Sequence, residues 1–337
     1  MLFERLAALP LEVEGYSGER LTGGERITLL LKLRGRGEEG YGEDVLQMPS
    51  EGMDFPLPDG LPLAGSWTLG SFLDALPALN LWAAEPPAEW GDFGLRLRRW
   101  VFESAALDLA LRQAGRSVAD LVGRTPRPLT FVNSFGLGDP PTLDVFRRRV
   151  ALYPSVGFKL DASHLWTPEL VRELAGTGLV RTVDFKGRYG MEVKGDFAPV
   201  YDAVVELLPE ALIEDPHEDV TGLPAERVSL DAPIRSVADI GATRTINVKP
   251  SRIGSLRALL EIYEHCEANG IAMYGGGMGE LGPARGQIQL LAALFHPDGP
   301  NDVAPPRFNL PEPVEGLPAS PLDVGAPPPG FRRGGTG

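Results

Sequence analysis

Hydrophobic and polar positions divide the chain into two regimes. Up to about residue 95 they alternate, as in "RITLLLKLRG" (Arg26 to Gly35), the period-two pattern of antiparallel strands. A Gly/Pro-rich stretch, "GRGEEGYGEDVLQMPSEGMDFPLPDG", follows and is expected to be a long functional loop. "RLRRWVFESAALDLALRQAGRSVADLVG" then carries helical spacing, with Gly115 and Gly123 as stops. From about residue 128 short apolar runs alternate with helical ones. The runs predict strands at 129–135, 155–161, 180–186, 211–215, 227–231, 245–249 and 271–275. Thr167 and Pro168 are expected to cap and open one of the helices between them. Strands apolar throughout imply a parallel sheet covered on both faces, and seven of them favour a closed barrel over an open sheet.

Composition narrows the function. The chain has 337 residues, 43% hydrophobic and 23% charged, the balance of a folded soluble protein. No apolar run approaches the roughly 18 residues that cross a bilayer. Glu4, Arg5 and Glu12 interrupt the apolar start, so a signal peptide is not expected. Cys266 is the single cysteine and suits a reducing cytoplasm. A net charge of −14 argues against nucleic acid or an anionic membrane as partner. The expected partner is a small molecule, and a homo-oligomer is compatible with the sequence.

Barrel sites lie at the C-terminal ends of the strands. Here those ends read Lys159 and Asp161, Asp184 and Lys186, Glu214 and Asp215, Asp231, and Lys249. Carboxylates converging from neighbouring strands repel unless a cation sits among them. Oxygen-only ligands select Mg²⁺, with Mn²⁺ as the alternative. A metal flanked by lysines can hold a substrate carboxylate and stabilise the enediolate left when its α-proton leaves. A lysine beside such a cation is expected to have a lowered pKa and to act as a base. The competing view is a rim of solvated charges. Ser134, at the end of the first barrel strand, and the glycines around Gly276 are candidates for lining the pocket. Glu280 is expected to touch substrate or Lys249, or to cap a helix, and His217 to be a surface loop residue.

The ordered set "GYGED", "FESAALDLALRQAGRSVADLVGR", "VDFKG", "IEDP", "SLDAPIRS", "NVKPSRIGSL" and "GGGMGELGPARGQIQLLAAL" resembles the enolase superfamily, in its muconate lactonizing enzyme and o-succinylbenzoate synthase branch. The resemblance spans nearly the whole chain. It implies a modified TIM-like (β/α)7β barrel with an α+β capping domain. The capping domain would span 1–125, completed by about 305–330, the barrel 126–304, and a disordered tail 331–337. It also implies a lyase or isomerase in which Asp184, Glu214 and Asp231 bind Mg²⁺, Lys249 is the lysine of the sixth strand, and the substrate is a small carboxylate. Three positions depart from the pattern. Lys-x-Lys on the second strand reads Lys159-Leu160-Asp161, Asp-x-Asn on the third reads Asp184-Phe185-Lys186, and Asp-Glu-Ser on the fifth reads Asp231-Ala232-Pro233. The first two suggest an exchange, Asp161 pairing with Lys186 so that an ammonium returns near the lost lysine. The expected reaction is an o-succinylbenzoate synthase-like dehydration or a cycloisomerisation. An amino-acid or dipeptide epimerase, or a metal-binding homologue without catalysis, are the alternatives.

Overall fold

The computed structural model describes residues 1–47, 54–84, 88–190 and 194–333. The N-terminal part contains α1 (Leu2–Ala7), β1 (Pro10–Val13), β2 (Gly15–Gly23), β3 (Arg26–Gly35), β4 (Glu38–Asp44), β5 (Gly65–Thr68), α2 (Leu69–Ala75), α3 (Gly91–Gln113) and α4 (Val118–Val122). Strands β2, β3 and β4 form an antiparallel sheet, and β1 pairs with β5. The start of the expected long loop is therefore strand, because "EEGYGED" adds to β3 in register from Leu29 opposite Asp44 to Gly35 opposite Glu38. Residues 48–53 of that stretch lie outside the described residues.

The glycines of "GYGED" have a packing cause. A Cβ on Gly40 would lie 2.2 Å from the Ala105 carbonyl oxygen, and one on Gly42 1.9 Å from that of Val101. Strand β4 thus lies directly on the backbone of α3, which is buried along Trp100 to Leu111. Asp44 pairs with Arg98 at 3.1 Å, both side chains fully enclosed.

The C-terminal part contains β6 (Val132–Gly136), α5 (Asp144–Leu152), β7 (Gly157–Asp161), α6 (Pro168–Gly176), β8 (Val180–Asp184), α7 (Ala198–Leu207), β9 (Leu212–Glu214), β10 (Val228–Leu230), β11 (Thr245–Val248), α8 (Pro250–Ile253), α9 (Leu256–Asn269), β12 (Ala272–Gly275) and α10 (Pro283–Phe295). Strands β6 to β12 form one parallel sheet in chain order; each expected strand is present, the first shifted to end one residue later and the others trimmed at their ends. Thr167 caps α6 and Pro168 opens it. Between β9 and β10 the chain runs as loop, with no helix, and a short 3₁₀ turn alone separates β10 from β11.

The curled sheet is closed by two residues. Asn301 bridges Phe131 and Asp302 bridges Gly276, both in the parallel sense. The Val132 amide donates to the Asn301 carbonyl at 2.8 Å and the Asp302 amide to that of Gly275 at 2.7 Å. Asn301 and Asp302 therefore stand as a minimal eighth strand, giving a modified (β/α)7β barrel, two of whose connections lack an α-helix, and an α+β capping domain.

The C-terminal segment returns to the cap. Phe331 is fully buried, and its amide and the Arg332 guanidinium bind the enclosed Asp108 of α3. Of the disordered tail expected at 331–337, Phe331 and Arg332 are irregular in backbone but packed on α3, and 334–337 lie outside the described residues. No helix among the described residues is long and apolar enough to cross a membrane.

A methyl group at Gly42 would be driven into backbone that cannot yield locally. Gly42→Ala is expected to cost about 3 kcal/mol or more and to lower the thermal midpoint by several degrees. An unchanged midpoint would contradict the close strand–helix contact.

Candidate active site

The strand ends converge as expected, but on one another's charges. Lys159 on β7 is 2% exposed and points inward, its ammonium 2.6 Å from Glu214 Oε1 and 3.3 Å from Asp184 Oδ2. Lys249, just past β11, donates to Asp231 Oδ2 at 2.7 Å. Arg252, in α8, lies 2.6 Å from Asp231 Oδ1. Tyr189 adds a hydroxyl hydrogen bond to Asp231 Oδ2 at 2.8 Å, and Tyr274 one to Glu214 Oε2 at 2.8 Å. Asn247 donates to Glu214 Oε1 at 3.2 Å.

The exchanged pair meets. Lys186 Nζ lies 2.9 Å from Asp161 Oδ1 and 3.3 Å from Asp184 Oδ2. The backbone makes this geometry: Lys186 has φ of 53°, a left-handed conformation that side-chain-bearing residues seldom adopt. Its amide donates to Asp184 Oδ1 at 3.0 Å, so the chain doubles back at the end of β8 and returns the ammonium to the strand ends. Asp215, at φ 44°, plays the matching part after β9. Its carboxylate accepts the amides of Asp231 and Ala232 at 2.8 and 2.9 Å, which fixes the end of β10.

Burial sets the protonation. On Lys159 its lowering effect is outweighed by Glu214, Asp184 and Asp302, and the ammonium is held well above its ordinary value. Burial also tends to lower Lys186, but Asp184 and Asp161 raise it overall. Without a cation, the surrounding carboxylates keep both lysines charged. On Asp231 burial is overcome by Lys249 and Arg252, and the carboxyl is held far below its usual range. Glu214 shares its lysine with Asp184 and Asp302; burial, with Asp184 and Asp231, pushes it up to about 8. Burial and Asp231 raise Asp215 to about 6.

The fit of a divalent cation follows from the donor set. Asp184, Glu214 and Asp231 are buried oxygen donors on three adjacent strands, the chemistry that suits Mg²⁺ or Mn²⁺. The mouth holds the carboxylates of Asp161, Asp184, Glu214, Asp215, Asp231 and Asp302 against the cations Lys159, Lys186, Lys249 and Arg252. With all six ionised, two negative charges are left over, which one such ion would balance; without it, burial keeps a proton on Glu214. Asn247 Oδ1, buried beside Glu214, has no hydrogen-bond donor among the described residues. The residues fit the ion chemically. In the present arrangement, Lys159 stands between Asp184 and Glu214, and no three acidic, His or Cys side chains among the described residues close on a common point.

Beside the cluster opens a cavity of about 520 Å³, lined by the β2–β3 turn (Gly23 to Arg26), Ser134, Gly277, Gly279, Arg285, Asp302 and Arg307. Ser134 is at this wall. Gly276 is not: a Cβ there would meet Lys249 Cε at 2.5 Å, so this glycine makes room for the lysine. Glu280 does not itself line the cavity and lies behind its wall, and it is not paired with Lys249. It is buried against Arg285 at 3.4 Å and accepts the Met278 amide. His217 is buried rather than exposed, 2.9 Å from the Tyr201 hydroxyl. Asp302 and Tyr189 escaped the sequence reading. Asp302 follows no strand-length apolar run, and Tyr189 lies in a loop five residues beyond Asp184.

Glu43 joins the cap to this end of the barrel. Buried, it accepts the amides of Leu281, Gly282 and Ala284 at the start of α10. Arg26, at the turn over the cavity, hydrogen-bonds the Met278 carbonyl.

Known proteins resemble this chain. Family models described as Domain of unknown function (DUF8230), N-terminal and C-terminal domains, match residues 4–121 and 125–310. An N-succinylamino acid racemase of Amycolatopsis is 31% identical over 65% of this chain, and an o-succinylbenzoate synthase of Bacillus subtilis 26% identical over 63%. The chain belongs to the DUF8230 family. Each match spans 60% of the relative's own length. A solved structure, the dipeptide epimerase of Methylococcus capsulatus complexed with Mg and a dipeptide, is 19% identical and superposes with a TM-score of 0.65 over 90% of this chain and 93% of that one.

The raised Glu214 has a consequence for stability. Its folded value of about 8 exceeds that of an unfolded carboxyl, about 4.3. Between these values the folded chain keeps a proton that the unfolded chain has released, so metal-free stability falls as pH rises through that window. Asp215 acts in the same sense up to about 6. Thermal midpoints measured without metal should decline from pH 5 to pH 8, and Glu214→Gln should flatten the decline. A stability that rises over this range would contradict the electrostatic description.

Proposed function

We propose that this protein removes the α-proton of a small carboxylate substrate with Mg²⁺ at Asp184, Glu214 and Asp231. The reading is supported chiefly by one observation: Lys159, from the second strand of the ring, reaches Glu214 and Asp184, and Lys249, from the sixth, reaches Asp231, so the three buried carboxylates are flanked by a lysine on either side. The chemistry a bound divalent cation supplies is positive charge against the enediolate. Lys249 takes the proton at its amine and returns it to the leaving group. Lys159 and Lys186 hold positive charge near the substrate carboxylate. The cavity beside them carries Arg26, Arg285 and Arg307, which attract an acid to a protein of negative net charge. The cap excludes water by resting the Arg26 turn on the Met278 loop.

Lys186 bears on the type of reaction. Held charged between Asp161 and Asp184, it is a poor proton acceptor, whereas racemisation needs a working acid or base on each face. One competent base suffices for a syn elimination or a cycloisomerisation, so an o-succinylbenzoate synthase-like dehydration is the reaction favoured. The name of the Amycolatopsis relative supports the second reading, racemisation of N-succinylamino acids.

The test is proton NMR in D₂O with Mg²⁺, using N-succinylamino acids and the hydrated precursor of o-succinylbenzoate. Elimination without racemisation supports the first reading, and exchange with racemisation the second. Lys249→Ala should lose about 10²-fold or more. A chain that binds Mg²⁺ yet exchanges no α-proton on any of these acids would be a metal-binding homologue without catalysis, and the proposal would fall.

A further inference from the structure

We propose that Asp302 is the carboxylate that receives the Lys159 ammonium when a divalent cation binds, which makes it a positioning residue for both metal and substrate. The inference rests on the metal reading above. Lys159 occupies the space between two of the three proposed ligands, 2.6 Å from Glu214 and 3.3 Å from Asp184. An ammonium and a divalent cation on the same oxygens repel strongly in a buried site. The Lys159 side chain is 3% exposed, so it cannot withdraw into water, and stranding it unpaired would be costly. It needs another carboxylate within reach.

The neighbouring acids are engaged. Asp161 is held by Lys186, and Asp231 by Lys249, Arg252 and Tyr189. Asp302 Oδ2 lies 3.9 Å from Lys159 Nζ, the longest of that lysine's ion contacts. Among the described residues the Asp302 carboxylate has no other hydrogen bond or ion pair. Its backbone is fixed on both sides by the two-residue eighth strand, through Gly275 and Gly277. A shift of the ammonium by about the length of one bond would close this contact to ordinary ion-pair distance and free the oxygens of Glu214 and Asp184.

The shift also has a direction. Asp302 lines the cavity with Ser134 and Arg285, whereas Lys159 does not. Drawing the ammonium to Asp302 moves positive charge to the cavity wall. Metal binding would then strengthen binding of an anion there, and the anion would strengthen metal binding by the same factor.

Calorimetric Mg²⁺ titration of the full chain tests this. Asp302→Asn is expected to weaken Mg²⁺ binding by about 10-fold or more. Glu25→Gln, which removes a carboxylate from the same cavity without touching Lys159, should weaken it by less than about 3-fold. In a Lys159→Gln background, Asp302→Asn should have little effect. Equal losses in Asp302→Asn and Glu25→Gln, or a loss that persists without Lys159, would overturn the proposal. If Lys159→Gln does not fold, the comparison of the two single variants decides alone. A wild-type chain that binds no Mg²⁺ would remove the metal reading together with this inference; binding with equal losses would remove this inference only.

Discussion

Ionised groups taken out of water must face opposite charge, and at the mouth of this barrel that requirement governs the structure. Lys159, Asp184, Glu214 and Asp231 are almost wholly enclosed, so each carboxylate needs a cation or a donor within contact distance. The chain meets the need with unusual local means. Lys186 and Asp215 adopt left-handed backbone, one to return an ammonium to Asp161 and Asp184, the other to spread its carboxylate over two amides of the next strand end. Gly276 omits a side chain where the Lys249 stem passes, and that lysine reaches Asp231 on the other side. Such conformations each cost about 1 to 3 kcal/mol and persist where the surroundings demand them.

The capping domain answers to the same end of the barrel. Glu43 reaches from β4 into the start of α10, where free amides and the helix dipole favour a carboxylate. That contact holds the 276–282 loop, whose glycines form one wall of the cavity, while the β2–β3 turn forms the facing wall. Asp108 ties the C-terminal segment to α3. Cap, loop and tail are thus braced by buried acids acting through backbone amides, and the cavity lies where they meet the strand ends.

Much of this was legible in the chain. Seven apolar runs at regular spacing gave seven parallel strands, and the charges ending them proved to be one cluster. The exchange of Asp161 for a lysine, with Lys186 gained on the neighbouring strand, was visible as a paired departure from a pattern, and the two side chains lie 2.9 Å apart. What was not legible depended on contacts distant in sequence. Asn301 and Asp302 form a strand too short to have a period, recognisable only by what they bridge. The strand character of "EEGYGED" was masked by glycines that local propensity penalises but that close packing on α3 requires. His217 looked like a loop residue because its burial comes from Tyr201 and Phe197, on a helix and its approach.

The central claim is that this charge cluster is a cation site temporarily closed by its own lysine. The departures from the family pattern make the claim specific: one ammonium, on Lys159, yields its place, while another, on Lys186, stays with Asp161. The most direct measurement is anomalous diffraction from crystals grown with Mn²⁺, compared with metal-free crystals of the same form. The account predicts a single strong peak about 2.2 Å from oxygens of Asp184, Glu214 and Asp231, with the Lys159 ammonium withdrawn from Glu214. An empty cluster at saturating Mn²⁺, with Lys159 still bound to Glu214, would contradict it.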